Sequence, residues 1–140
     1  MSRGSFLKEF FKSNRMVGSI VPSSRFLSRK MLQPIAFNKA KVIVELGPGT
    51  GVFTKELIKQ MHPSTQLVVI ELNEAFYQNL NHQLTAANLH IIHGSAADIS
   101  LALKQLKLPK ADYILSSLPL SNFPVNLRND ILTEIQRNLN

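Results

Sequence analysis

From Lys41 onward, short apolar runs alternate with longer segments whose apolar positions recur at helical spacing. KVIVEL (41–46) reads as a buried strand, and QLVVIEL (66–72), LHIIH (89–93) and ADYILSS (111–117) read as strands. Residues 50–61, 73–86, 98–106 and 124–139 read as helices. Asn73 is placed to cap the second of these, and Pro124 is tolerated in the first turn of the last. The apolar positions of the last helix (Val125, Leu127, Ile131, Leu132, Ile135 and Leu139) read as one core-facing stripe. Strands alternating with helices predict parallel pairing and right-handed crossovers. The expected fold is α/β, a doubly wound Rossmann-like parallel sheet of about four strands.

The first 40 residues follow another pattern. Over residues 5–18, Phe6, Leu7, Phe10, Phe11 and Val17 fall within about 140° of one another on a helical wheel, edged by Lys8, Lys12 and Arg15. Gly18 is a plausible stop for this helix. A second helix is expected to start at Ser23 or Ser24, either of which can cap it, and to run towards Gln33 before Pro34. The expected division is therefore 1–40, basic amphipathic helices, and 41–140, the α/β domain.

Charge sharpens that division. Arg3, Lys8, Lys12, Arg15, Arg25, Arg29, Lys30 and Lys39 face Glu9 alone, so the whole formal net charge of +7 sits in the first 40 residues. An anionic partner would meet that end. The phenylalanine stripe either packs on the domain or lies in a membrane interface, and the segregated charge favours the membrane. The same cations would also suit RNA phosphates.

Several classes of chemistry drop out. There is no cysteine, hence no disulfide, thiolate or zinc–cysteine site, which fits a reducing cytosol. No apolar run is long enough to span a membrane, and Lys8, Glu9 and Lys12 interrupt any signal-peptide core. Ser23, Ser24, Ser116 and Ser117 lack the glycine elbow of a serine hydrolase. His90 and His93 are three apart on a strand and so point to opposite faces, which argues against a metal pair; His62 and His82 read as surface residues.

The candidate chemistry lies at VELGPGTGVFTKEL (44–57). Gly47, Gly49 and Gly51 follow a strand and open a helix, which lets the chain turn sharply and a ligand approach without a Cβ in the way. Glu71 ends the next strand about 20 residues on, where a carboxylate can accept from both hydroxyls of a ribose. HGSAAD follows the third strand as a small-residue turn with a carboxylate, suited to the edge of an adenine. In that order the three turns point to an adenosine-containing cofactor. A phosphate loop's G-K-S/T is missing, which disfavours ATP.

With these motifs the chain resembles the class I S-adenosylmethionine-dependent methyltransferases: VELGPGTG is similar to their first motif, VVIELN to the second, HGSAAD to the third, and SSLPL (116–120) to the substrate-facing motif after the fourth strand. Two branches share ELGPGTG, the ribosomal RNA adenine dimethyltransferases and the bacterial phospholipid N-methyltransferases. FLKEFFKSNRMVGSIVPSSRFLSRKM at the front with SLPLSNFP at the back resembles the phospholipid branch. The RNA branch usually carries asparagine–leucine–proline–tyrosine where this chain has Ser117, Leu118, Pro119 and Leu120, so the aromatic that would stack a flipped adenine is absent.

The resemblance implies S-adenosylmethionine as cofactor and no metal. Gly47, Gly49 and Gly51 would pass under its methionine portion, Glu45 would hold its amino group, Glu71 would take the ribose hydroxyls, and Leu72 would also bind the cofactor. Ser95, Ala96 and Asp98 would surround the adenine; relatives often have aspartate where Ser95 stands. Ser23 and Ser24 would close over the cofactor, and Ser117, Leu118 and Pro119 would face the nucleophilic amine. The implied reaction is methylation of the phosphatidylethanolamine headgroup towards phosphatidylcholine, by an enzyme peripheral on the cytoplasmic face of a bacterial membrane. The alternatives are an RNA adenine dimethyltransferase, or a non-catalytic membrane-binding remnant. Relatives continue through about three more strands, which leads us to expect a C-terminally truncated domain whose uncovered sheet edge favours self-association.

Overall fold

A computed structural model describes residues 25–140. The elements in chain order are α1 (Arg25–Met31), β1 (Val42–Leu46), α2 (Val52–Gln60), β2 (Gln66–Glu71), α3 (Glu74–Gln83), β3 (Leu89–His93), α4 (Ile99–Gln105), β4 (Tyr113–Ser116) and α5 (Val125–Asn138). Short 3₁₀ turns precede α4 and α5, at Ala96–Asp98 and Leu120–Asn122. The helix expected over 5–18 and the cap serines Ser23 and Ser24 lie outside the described residues.

The four strands form one parallel sheet in the order β3-β2-β1-β4. All four carboxyl ends therefore share one edge. The order reverses between β1 and β4, and that switch point opens the crevice where such sheets take ligands. β1 is buried along its whole length, as its unbroken apolar run requires.

Side-chain alternation divides the core between the two faces. Val42, Val44, Leu46, Val68 and Ile70 pack with Ala102, Leu103, Leu127 and Ile131 of α4 and α5. Ile43, Leu67 and Val69 pack with Leu57 of α2, with Met61 and with Leu32. Glu45 and Glu71 continue the second series, so both point to the α2 face. α1 and the residues after it lie across the same face: Arg29 Nε of α1 donates to Glu56 Oε1 at 3.0 Å, and the Ala36 N–H donates to the Tyr113 hydroxyl at 3.1 Å.

Element ends differ from the sequence expectation by one to three residues for identifiable reasons. α2 starts at Val52 because Gly51 still holds the left-handed turn, with φ 88°. Asn73 caps α3 as expected, its side chain accepting from the Phe76 N–H at 3.0 Å. β4 is shorter than 111–117 because Ala111 faces the other way: its N–H donates to the Asn138 carbonyl and its carbonyl accepts from the Asn140 N–H, in a parallel bridge to Leu139.

One expectation is overturned. The stripe on α5 is not wholly core-facing: Val125, Leu132 and Leu139 are 57%, 45% and 39% exposed. The helix is rotated so that Leu127, Ile131 and Asn138 face inward. Two polar residues draw that rotation. Glu134 accepts from the Ser100 N–H and hydroxyl at 3.0 and 2.9 Å, and the Asn138 amide donates to Ser100 Oγ and the Glu134 carbonyl. Once satisfied, these groups are buried at little cost.

Candidate active site

The turn after β1 is built on three left-handed glycines, with φ of 67° at Gly47, 58° at Gly49 and 88° at Gly51. Residues with a Cβ rarely adopt this backbone, which explains the spacing of the motif. A Cβ on Gly47 would lie 2.5 Å from Leu118 Cδ2, and one on Gly51 would lie 2.6 Å from Leu80 Cδ2. A Cβ on Gly49 would meet nothing within 4 Å. The turn is therefore packed at both ends and open in the middle.

Glu71 closes that turn from the neighbouring strand. Its Oε1 accepts from the Gly49 N–H at 3.0 Å and its Oε2 from the Asn73 N–H at 2.9 Å. Burial raises its pKa; N–H donors from Asn73, Gly49 and Leu72 and the nearby His93 oppose that rise. His93 pairs with Glu71 in the β2–β3 register, donates from Nε2 to the Leu72 carbonyl at 2.9 Å and stacks on Tyr77 with ring centroids 5.1 Å apart. His90, on the other face, bonds to Gln66.

Glu45 is fully buried one strand away. The Thr54 hydroxyl donates to its Oε1 in a short hydrogen bond, while its Oε2 is buried without a hydrogen-bond partner. Burial pushes its pKa from the usual 4.5 up to about 7; the Thr54 bond lowers it, and the Glu71 charge raises it further. An orphaned carboxyl oxygen at the ligand edge of the sheet is a ready acceptor for a cationic group.

Ser95 and Asp98 line a cleft of about 250 Å³ with Ile92 and Leu101. The Ser95 hydroxyl is engaged by the Ala97 N–H at 3.1 Å, Ala96 is buried, and Asp98 is exposed. After β4, the exposed Ser117 donates its N–H to the Leu46 carbonyl at 3.1 Å, and Leu118 lies against Gly47. Pro119 leads into the next turn, and the Leu118 carbonyl accepts from the Leu120 N–H at 2.9 Å. The structure thus brings Gly47, Gly49, Glu71, Asn73 and Leu118 into contact. Glu45 is paired with Thr54 on the α2 face of the sheet, and Ser95, Asp98 and Ile92 line one cleft. Leu72 is half-buried and packs on the α4–α5 side of the core.

Sequence reasoning passed over Thr54 and the Tyr77–His93 stack. The first was visible as a hydroxyl on the first turn of α2, on the strand-facing side; the second as a histidine at the end of β3, level with Glu71. Among the described residues no group of His, Cys, Asp and Glu could hold a metal ion.

Glu45 offers its orphaned oxygen to an ammonium, and the missing Cβ of Gly49 leaves room above the turn. These residues fit an amino-acid-bearing adenosine cofactor, S-adenosylmethionine.

Comparison with known proteins places the arrangement. The ornithine lipid N-methyltransferase of Singulisphaera acidiphila is 34% identical over 133 residues, covering 94% of this chain and 69% of that enzyme. The ribosomal RNA small subunit methyltransferase A of Mycoplasma capricolum subsp. capricolum is 34% identical over 121 residues, 86% of this chain but 43% of that enzyme. In fold, the chain superposes on the O-methyltransferase TomG of Streptomyces achromogenes in complex with S-adenosylmethionine, with a TM-score of 0.67 at 17% identity, over 100% of this chain and 61% of that one. The N-terminal domain of EvdMO1 with S-adenosylhomocysteine bound gives 0.64 at 20%, over 85% and 48%. The ribosomal RNA adenine dimethylase family matches residues 2–133. This chain belongs to that family of S-adenosylmethionine-dependent methyltransferases and carries its Rossmann-like fold.

Proposed function

We propose that the chain methylates the headgroup amine of a membrane lipid, phosphatidylethanolamine towards phosphatidylcholine or an ornithine lipid. The observation that carries this reading is the similarity to the ornithine lipid N-methyltransferase, which extends over 69% of that enzyme against 43% of the ribosomal RNA enzyme. Leu120 supports it: it packs against the α4–α5 side of the core and offers no aromatic face for a base to stack on.

S-adenosylmethionine supplies a methyl already activated on a sulfonium, so the chain's residues contribute positioning more than proton transfer. The glycine turn lets the backbone pass close to the methionine portion. Glu45 Oε2 takes the ammonium, Glu71 uses the lone pairs left by its two N–H donors for the ribose hydroxyls, and Leu72, Ser95, Ala96 and Asp98 border the adenine. The acceptor amine must be neutral to attack. The Ser117 hydroxyl and the Leu118 carbonyl, with Pro119 fixing the turn behind them, orient its lone pair, and desolvation beside the Leu118 side chain lowers its pKa.

The basic first 40 residues hold the enzyme at the anionic cytoplasmic face of a bacterial membrane. No helix among the described residues is long and apolar enough to cross it. The family match supports a second reading, in which the acceptor is an adenine of ribosomal RNA.

Labelled S-adenosylmethionine, offered together with ribosomal RNA and liposomes of an anionic lipid mixed with phosphatidylethanolamine or ornithine lipid, tests both. Label in lipid supports the proposal, and the liposome that takes it identifies the headgroup. Label in RNA replaces it with the second reading. Protein on the liposomes with label in neither leaves a non-catalytic membrane-binding protein.

A further inference from the structure

Thr54 has no role in the reading above, yet it is fully buried and its hydroxyl is committed to one oxygen of a fully buried carboxyl. That single bond fixes the rotation of Glu45. With Oε1 engaged, Oε2 is the oxygen left without a partner at the ligand edge of the sheet. We propose that Thr54 is a positioning residue for the cofactor: it aims Glu45 Oε2 at the cofactor's ammonium group, and the arriving ammonium expels the proton that this carboxyl holds in the free protein.

The charged surroundings support the exchange. Glu71, at the end of β2, is the acidic neighbour and disfavours a second negative charge, as does burial. On α2, Lys55 and Lys59 are exposed and Glu56 is paired with Arg29, so none of them neutralises Glu45. On β4, the Tyr113 hydroxyl is engaged by the Ala36 N–H. His93 acts on Glu71. The ammonium is thus the cation that lets Glu45 ionise. The balance is simple: a carboxylic acid and an ammonium become a carboxylate–ammonium pair, and one proton goes to solvent.

With Glu45 titrating near pH 7, binding at that pH should release about half a proton per molecule, rising towards one near pH 6 and vanishing by about pH 9.

The experiment is calorimetry on the full chain in two buffers of different ionisation heat, with S-adenosylhomocysteine, which carries the ammonium, and 5′-methylthioadenosine, which lacks the amino acid. Proton release is expected with the first ligand and none with the second. Thr54→Val should weaken S-adenosylhomocysteine about tenfold and 5′-methylthioadenosine less than about twofold, and Thr54→Ser should restore the first affinity. A merely structural threonine would weaken both ligands alike, and that result overturns the proposal. So does equal proton release with both ligands, a measurement on the wild type that decides the matter even if Thr54→Val fails to fold. Neither lipid nor RNA enters the test, so its outcome stands apart from that of the methyl-acceptor assay.

Discussion

The Gly49 backbone N–H donates to Glu71 Oε1 at 3.0 Å, across from one strand's turn to the next strand's end. The carboxylate proposed to take the ribose hydroxyls is therefore also the strut of the glycine turn. Glu71→Ala would leave the N–H groups of Gly49 and Asn73 without acceptors. A buried donor left unsatisfied costs about 1–3 kcal/mol. The variant should lose about 2 kcal/mol or more in urea unfolding and bind S-adenosylhomocysteine at least tenfold more weakly. Unchanged unfolding with lost binding would show that Glu71 serves the ligand alone.

The three glycines should separate under substitution by alanine. All three carry a left-handed backbone, which costs a residue with a Cβ about 1–2 kcal/mol. Gly49→Ala adds no clash, so its unfolding should shift by about that much while cofactor binding drops, because the new methyl projects into open space above the turn. Gly51→Ala also meets Leu80, which is 1% exposed and has nowhere to move, so its stability loss should be clearly the larger. Equal losses in the two variants would refute the packed-end, open-middle description of the turn.

Much of this was legible in the sequence. β3 matches its expected span because LHIIH is bounded by a loop and a glycine, and Asn73 announced α3 by cap chemistry. That the glycine turn, Glu71 and the turn at Ser95 lie along one edge followed from strand ends alone, since parallel strands share one carboxyl edge. What stayed hidden was polar and tertiary. Periodicity counts Glu134 and Asn138 as surface residues, yet they occupy the inward face of α5 and push Val125 and Leu132 outward. Thr54 read as one more helix residue, because only the packed sheet shows that Glu45 lies against it.

The Glu134–Ser100 contact gives a test of that hidden layer. Asp98 makes no side-chain cap to α4, and Glu134 reaches across from α5 to accept the Ser100 N–H instead. Glu134→Ala should cost about 1–2 kcal/mol, in the range of a lost cap, and Glu134→Gln clearly less, since its amide oxygen can still accept. Thermal unfolding of both variants checks this. Equal losses would mean that the cap contributes nothing beyond packing.

Glu45 should leave its mark on the pH dependence of stability. Its usual pKa of 4.5 is raised to about 7 in the folded chain, chiefly by burial. Between these values the unfolded chain has released the proton and the folded chain still holds it. Stability from this group is therefore full below about pH 4.5 and is lost as pH rises through about 7. Asp112 runs the other way: N–H donors from Lys41 and Val42 outweigh its burial and hold it below the usual carboxylate range, so its contribution is lost only under stronger acid. Glu56, whose burial is outweighed by Gln60 and Arg29, behaves likewise. Measurement at pH 5.5 and 8 thus isolates the raised groups, and comparison with Glu45→Gln isolates Glu45. Between these pH values the wild type should lose about 2 kcal/mol more than the glutamine variant in urea unfolding. The two proteins losing stability in parallel would mean that Glu45 is already ionised in the free fold, and the proton release proposed on cofactor binding would fall with it.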